Sequence, residues 1–204
     1  MERGKVVITG MGAITPLGQT AQAFWQNLVA GKSGIGRMTL CDPTGCPCQI
    51  AGEVKDFDPV QYVDAKQARR MARFSQLAVA AALTAVEDAR LDVSREDPYR
   101  VGVILGNGNG GFPTLEENCR ILADRGGMKM SPFFFPMVLP NMAAANVSRL
   151  VGARGYNSTA TTACAASNQA IGEALEAIRR GVADVVLAGG TEAGISQLGW
   201  RGFA

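Results

Sequence analysis

The residue of this chain best suited to chemistry is a cysteine. Cys164 lies in segment 156–168, where a strand-like run of β-branched and small residues gives way to the helical pattern of 169–180. At the start of a helix, unsatisfied N–H groups and the positive end of the dipole favour thiolate over thiol. The thiolate is the nucleophile, and the alanines around it leave room for a substrate. The position predicts covalent acyl chemistry, although a lone cysteine is more often a buried structural thiol.

The absence of histidine limits this prediction. The chain has 204 residues and no histidine, so it cannot complete a Cys–His pair by itself. We therefore expect the sequence to be the first part of a longer protein whose second part supplies histidines.

Composition excludes several classes of protein. The chain is 47% apolar and 19% charged, which is typical of a globular domain, and its net charge of +2 is too small to indicate nucleic-acid binding. It has neither an apolar run of membrane-spanning length nor a signal peptide, and its 5 cysteines favour reduced thiols in the cytoplasm. Cys41, Cys46 and Cys48 are too few for a structural zinc site, so we expect loop thiols, with no metal and no cofactor.

Strands and helices alternate along the chain around this cysteine. Continuous apolar strands between helices indicate an α/β fold, with a mixed, mainly parallel sheet covered by helices on both faces. The patterns predict strands over 5–9, 49–54, 100–105 and 184–188, and helices over 21–30, 66–90, 115–125 and 141–151, with 131–140 irregular.

Three further patterns each have two interpretations. The G-x-G-x-x-G of 106–111 suits a dinucleotide site, but the expected acidic residue is missing, and a close approach of two backbones explains it as well. Glu192 follows two glycines and is either a catalytic acid or a carboxylate bound by backbone N–H groups. Lys66, Arg69, Arg70 and Arg73 share one face of the predicted helix, which is either solvated or a docking surface for an acidic partner.

The ordered motifs together resemble the β-ketoacyl–acyl-carrier-protein synthases, and most of all the ketoacyl synthase II type. The resemblance runs from Val6 to Phe203 and includes Thr162-Ala-Cys-Ala165 and Ala188-Gly-Gly-Thr-Glu192. It implies a thiolase-like fold built from two similar α/β halves, of which residues 1–204 would be the N-terminal half. The other matching segments are 6–18, 28–35, 54–57, 106–111, 131–134 and 141–142.

The resemblance also implies roles for particular residues. Cys164 would accept the acyl group from a carrier thioester, with its backbone N–H as an oxyanion donor, and a malonyl-carrier protein would then lose CO₂ and extend the chain by two carbons. The catalytic histidines would lie in the second half. Phe133 and Phe134 would line the acyl pocket together with Asn109, where relatives often carry an aliphatic residue. Acyl carrier protein would dock on the basic residues Lys66, Arg69, Arg70 and Lys129.

The expected partners are therefore acyl carrier protein, acyl and malonyl thioesters, a second copy of the chain in a homodimer, and the missing C-terminal half. The isolated chain is expected to lack turnover. The alternative is a non-catalytic partner or assembly fragment of a ketosynthase complex. The retained Cys164 favours the enzyme, because the non-catalytic chain-length factors of the family normally lack this cysteine.

Overall fold

The computed structural model describes residues 4–203, and its centre is a parallel sheet of three strands. The strands are β3 (Val101–Gly106), β4 (Asn157–Ala160) and β5 (Val185–Gly190). Strand β3 lies in the middle, with Val103 opposite Asn157 of β4 and Leu187 of β5. All six residues of β3 are buried, as its continuous apolar run predicts.

Helices cover both faces of this sheet. Strand β3 directs Val101, Val103 and Leu105 into a core shared with helices α3 (Arg73–Asp88) and α6 (Met142–Val151). Because side chains alternate along a strand, Ile104 points to the opposite face, where it packs against Ala170, Ala174 and Ala177. These alanines belong to α7 (Ala166–Arg179), and their small side chains let that helix lie close to the sheet.

The remaining elements surround this core. An antiparallel pair, β1 (Ile35–Arg37) and β2 (Ile50–Gly52), precedes it. Short 3₁₀ turns lie at 59–61, 93–95, 98–100, 127–129 and 163–165. The other helices are α1 (Ala21–Val29), α2 (Ala65–Ala68), α4 (Phe112–Arg125), α5 (Phe134–Val138) and α8 (Gln197–Arg201).

The single long helix predicted over 66–90 is wrong, because a turn at 69–72 divides it into α2 and α3. The turn buries Met71 and Ala72, and the side-chain amide of Gln76 donates hydrogen bonds to the carbonyls of Ala68 and Met71. The apolar residues of this segment still form a buried face, since Phe74, Leu77 and Ala78 are buried. The basic residues, however, do not share one helical face.

Two other predictions of secondary structure are wrong. The predicted buried strand 5–9 has no regular structure, and Val7 and Ile8 are 62% and 82% exposed. Within residues 4–203 no strand pairs with it. Segment 131–140, predicted irregular, contains α5. Its Pro136 is accommodated in the first turn of that helix, where the backbone N–H has no intrahelical acceptor.

Candidate active site

Cys164 lies at the carboxyl edge of the parallel sheet, in the turn between β4 and α7. The 3₁₀ turn Ala163–Ala165 leads directly into the helix, and the Cys164 side chain is exposed. This confirms the predicted position of the cysteine at the start of a helix. Because all three strands are parallel, the loops that follow β3 and β5 begin at the same edge of the sheet as the Cys164 turn and lie next to it.

The turn that carries Cys164 is strained. Ala163 has a φ of 49°, in the left-handed region that costs a residue with a Cβ roughly 1–2 kcal/mol. Such strain persists only where the surrounding structure enforces it, and it often occurs at functional sites. The strained residue immediately precedes Cys164, so the backbone there is fixed by packing against its neighbours.

Two glycines explain how that packing is achieved. A Cβ on Gly106, at the end of β3, would collide with the backbone of Ala166 and Ser167. A Cβ on Gly190, at the end of β5, would collide with the Ser167 side chain. Both strands therefore touch the first turn of α7 directly. This supports the close-approach interpretation of the glycine motif that begins at Gly106.

Glu192 holds the loop after β3 in place. One carboxylate oxygen accepts hydrogen bonds from the N–H groups of Gly108 and Asn109, at 3.0 and 3.2 Å, and the other accepts one from Ala193 at 3.2 Å. A Cβ on Gly108 would lie 4.0 Å from Cα of Ala163, so this loop borders the cysteine turn. The structure thus favours the backbone-binding interpretation of Glu192 over the catalytic one. Asn109 is exposed at this edge.

Two polar residues that the sequence analysis did not single out complete this network. Asn107 is buried; its side chain donates to the Thr191 carbonyl at 2.6 Å and accepts from the Gly110 N–H at 2.5 Å. The Thr191 hydroxyl donates to the carbonyl of Phe74 in α3 at 2.7 Å. The sequence feature that could have identified Asn107 is its position, as a polar residue directly after the fully apolar strand β3.

The predicted pocket residues lie on α5 and just before it. Phe133 and Phe134 are half-buried, whereas Phe135 is 66% exposed and packs edge-on against Phe134, with ring centroids 5.1 Å apart. The end of α5 contacts the glycine loop, because the Gly111 N–H donates to the Val138 carbonyl at 2.9 Å. An open cavity of about 400 Å³ elsewhere is lined by Cys41 and residues of α4 and α8, and Cys164 is not among its lining residues.

The predicted docking residues are exposed, whereas Arg73, which the sequence placed on the same face, is not part of their surface. Lys66, Arg69 and Lys129 are exposed. Arg70 is also exposed, but its guanidinium lies 4.4 Å from the centroid of the Phe133 ring. Arg73 is not part of this surface: it donates to the carbonyls of Val54 and Phe57 at 3.1 and 3.3 Å and stacks on the Phe57 ring. Burial lowers its pKa.

The other cysteines have surroundings unlike those of Cys164. Cys46 is buried and Cys41 is half-buried, and burial, followed by the nearby Glu116 and Glu53 carboxylates, raises the pKa of the Cys41 thiol. Cys48 and Cys119 are exposed.

In the part of the chain that the structure describes, no three His, Cys, Asp or Glu side chains are grouped to hold a metal ion, and no helix is long and apolar enough to cross a membrane.

Comparison with known proteins identifies the family. The family model "Beta-ketoacyl synthase, N-terminal domain" matches residues 3–204. The chain belongs to the beta-ketoacyl synthase family. This ketoacyl synthase chain is 44% identical, over 204 residues, to 3-oxoacyl-[acyl-carrier-protein] synthase 2 of Synechocystis sp., covering all of this chain and 49% of the relative. The enzyme of the same name from Staphylococcus aureus is also 44% identical, over 98% of this chain and 48% of the relative.

Solved structures agree with this assignment. The ishigamide ketosynthase/chain length factor superposes with a TM-score of 0.89 at 30% identity, covering 97% of this chain and 49% of that one. A type II PKS acyl-carrier protein in complex with its ketosynthase gives 0.83 at 31% identity, over 98% and 55% of the two chains. The predicted thiolase-like α/β fold of this ketoacyl synthase chain is confirmed. The chain spans about half the length of the curated relatives it matches.

Proposed function

We propose that this chain carries the nucleophile of a condensing acyltransferase, a 3-oxoacyl-[acyl-carrier-protein] synthase that elongates fatty-acid or polyketide chains. The observation that carries the proposal is the exposed Cys164 sulfur at the start of α7, in a strained turn at the carboxyl edge of the sheet. The ends of β3 and β5 contact the first turn of α7. The residues next to Cys164 are alanines, and Cys164 itself is exposed. Family membership supports the same chemistry.

The proposed reaction has two stages. The Cys164 thiolate attacks the carbonyl carbon of an acyl thioester, the bond from that carbon to the carrier sulfur breaks, and the carrier thiol leaves with a proton. The Cys164 backbone N–H would stabilise the oxyanion of the intermediate. In the second stage, malonyl thioester loses CO₂, and its enolate carbon attacks the acyl carbon and expels the Cys164 thiolate. The groups that stabilise the enolate oxygen in this stage cannot be histidines of this chain, because it has none.

The proposed substrates reach Cys164 on an acidic carrier protein. Lys66, Arg69 and Arg70 are exposed around the turn after α2, and Lys129 lies close in sequence to Phe133, which Arg70 contacts. Clustered positive charge of this kind speeds encounter with an acidic partner and is weakened by salt. Phe133, Phe134 and Asn109 are proposed to contact the acyl chain. We further propose a covering C-terminal half, which the length of the relatives supports, and a homodimer.

The test is acyl transfer to the chain from an acyl carrier protein and from an acyl-pantetheine thioester, followed by mass spectrometry of peptides. We expect one acyl group on Cys164, and none in Cys164→Ala. Cys119→Ala is the matched control, because Cys119 is also exposed but lies within α4 rather than at a helix start. Acylation that survives in Cys164→Ala would refute the proposal. The chain alone should be acylated without catalysing condensation, and adding a separately produced C-terminal half should restore condensation. Restored condensation would exclude the non-catalytic alternative.

A further inference from the structure

Arg70 makes a contact that a simple docking charge does not need. Its guanidinium stacks over the Phe133 ring at 4.4 Å, although Arg70 itself is exposed. The turn that carries Arg70 is held by hydrogen bonds, because the Gln76 side-chain amide donates to the Ala68 and Met71 carbonyls at 2.9 and 3.2 Å. The stack therefore joins a rigid turn to the segment that begins α5.

Phe133 is equally well anchored on its own side. Its N–H donates to the Ser131 hydroxyl at 3.2 Å, and the Ser131 N–H donates to the buried Asn118 side chain at 3.1 Å. The Phe133 carbonyl accepts from the Met137 N–H at 3.0 Å, in the first turn of α5. The backbone of Phe133 is thus part of the hydrogen-bonded start of α5, so the stack attaches Arg70 to this helix.

The far end of α5 supports the glycine loop beside the cysteine. Gly111 donates to the Val138 carbonyl at 2.9 Å, and neither Gly110 nor Gly111 has room for a Cβ next to the end of this helix. A Cβ on Gly111 would also lie 3.1 Å from the Ala72 Cβ, in the same turn as Arg70. The preceding residues of the loop, Gly108 and Asn109, are bound by Glu192, and Gly108 borders Ala163.

From this continuous series of contacts we infer that Arg70 is a positioning residue: through Phe133 and α5 it sets the loop 108–111 beside Cys164. Stacking uses the face of the guanidinium and leaves its N–H edges free, so a carboxylate of an acidic protein binds Arg70 without breaking the stack. Docking of such a partner then stabilises the loop next to the nucleophile. This last step rests on the proposed function, whereas the positioning role does not.

Amide hydrogen exchange of the peptide that covers 107–111 tests the positioning role. In Arg70→Met and in Phe133→Leu we expect exchange to become about 2- to 5-fold faster, the size of an exposed cation–π contact. The double variant should resemble either single variant, because both changes remove the same stack. Arg125→Met, which removes an exposed arginine from the last turn of α4, is the control and should leave this peptide unchanged.

Several outcomes would overturn the inference. One is exchange in Arg70→Met that matches Arg125→Met, and another is an additive double variant. A second measurement adds acyl carrier protein: it should slow exchange of the peptide in the wild-type chain but not in Arg70→Met. Slowing of the same size in both would also count against Arg70. If the carrier fails to bind the wild-type chain at all, the docking part of the proposed function fails, while the exchange of the single and double variants still decides the positioning role.

Discussion

Gly106→Ala tests whether close packing against the strands positions the nucleophile. The added Cβ would point into the backbone of Ala166 and Ser167, well inside the ordinary contact distance of 3.4–4 Å. Restoring contact requires the first turn of α7 to retreat by about 1 Å, a displacement that can slow a positioned reaction ~100-fold. Overpacking of this kind also destabilises a fold by about 1–3 kcal/mol.

The control for this substitution lies on the same helix. Gly172 is in α7, and a Cβ placed there would meet nothing within 4 Å, so Gly172→Ala should stabilise the chain by about 0.5–1 kcal/mol. Urea unfolding gives the stability of each variant, and the rate of Cys164 acylation by an acyl-pantetheine thioester reports the position of the sulfur. We expect Gly106→Ala to lose both stability and rate. If Gly106→Ala behaves like Gly172→Ala in both assays, the strands do not position the cysteine and the argument fails.

Three further substitutions test individual contacts by urea unfolding. The buried Glu53 carboxylate accepts hydrogen bonds from Thr39 and Leu40, which outweigh burial and lower its pKa. Its contribution to stability is therefore present above the unfolded-state pKa of about 4.3 and is lost as pH falls through the lower folded-state value. Glu53→Gln should cost about 1–3 kcal/mol at pH 7 and progressively less below about pH 4; a pH-independent cost would contradict this. Glu192→Gln replaces one of the two acceptor oxygens by an N–H₂ group and removes the charge, which weakens the binding of the N–H donors; it should cost about 1 kcal/mol and speed exchange in 108–111. Arg73→Met should lower the free energy of unfolding by about 1–2 kcal/mol, because two hydrogen bonds and a stack are lost. The control Arg69→Met should lower it by less than about 0.5 kcal/mol, and equal losses would contradict a structural role for the Arg73 contacts.

Local patterns were sufficient where one element carries its own signal. The apolar run of β3 and the helical pattern of 169–180 predicted both elements, and the change from a strand-like run to that pattern predicted Cys164 at the junction before the helix. Helical spacing did not reveal the break at 69–72, because Met71 and Phe74 are both buried with or without it. The break depends on the Gln76 side chain, which reaches back to Ala68, and the apolar pattern of the sequence does not record that contact.

Long-range partners were the main limit. The β-branched residues of 5–9 have the propensity for a strand, but a strand also needs a partner, and no strand of the described residues pairs with this segment. The two interpretations of Glu192 could not be separated from sequence, because two of its hydrogen-bond donors, Gly108 and Asn109, lie more than 80 residues earlier in the chain. The φ of Ala163 was equally hidden, since alanine rarely adopts it.

The site as a whole is built from backbone more than from side chains. Gly106 and Gly190 let the strands touch α7, Ala163 supplies the strained turn, and Glu192 acts by binding N–H groups of the neighbouring loop. Such a construction can hold a sulfur in one position and can offer backbone N–H groups to an oxyanion. In the proposed reaction, attack on the acyl thioester needs the positioned thiolate and donors to one oxyanion, whereas decarboxylation of the malonyl thioester also needs donors to the oxygen of the resulting enolate. The two stages of the proposed reaction therefore place different demands on the protein, and we propose that the turn at Cys164 serves the first.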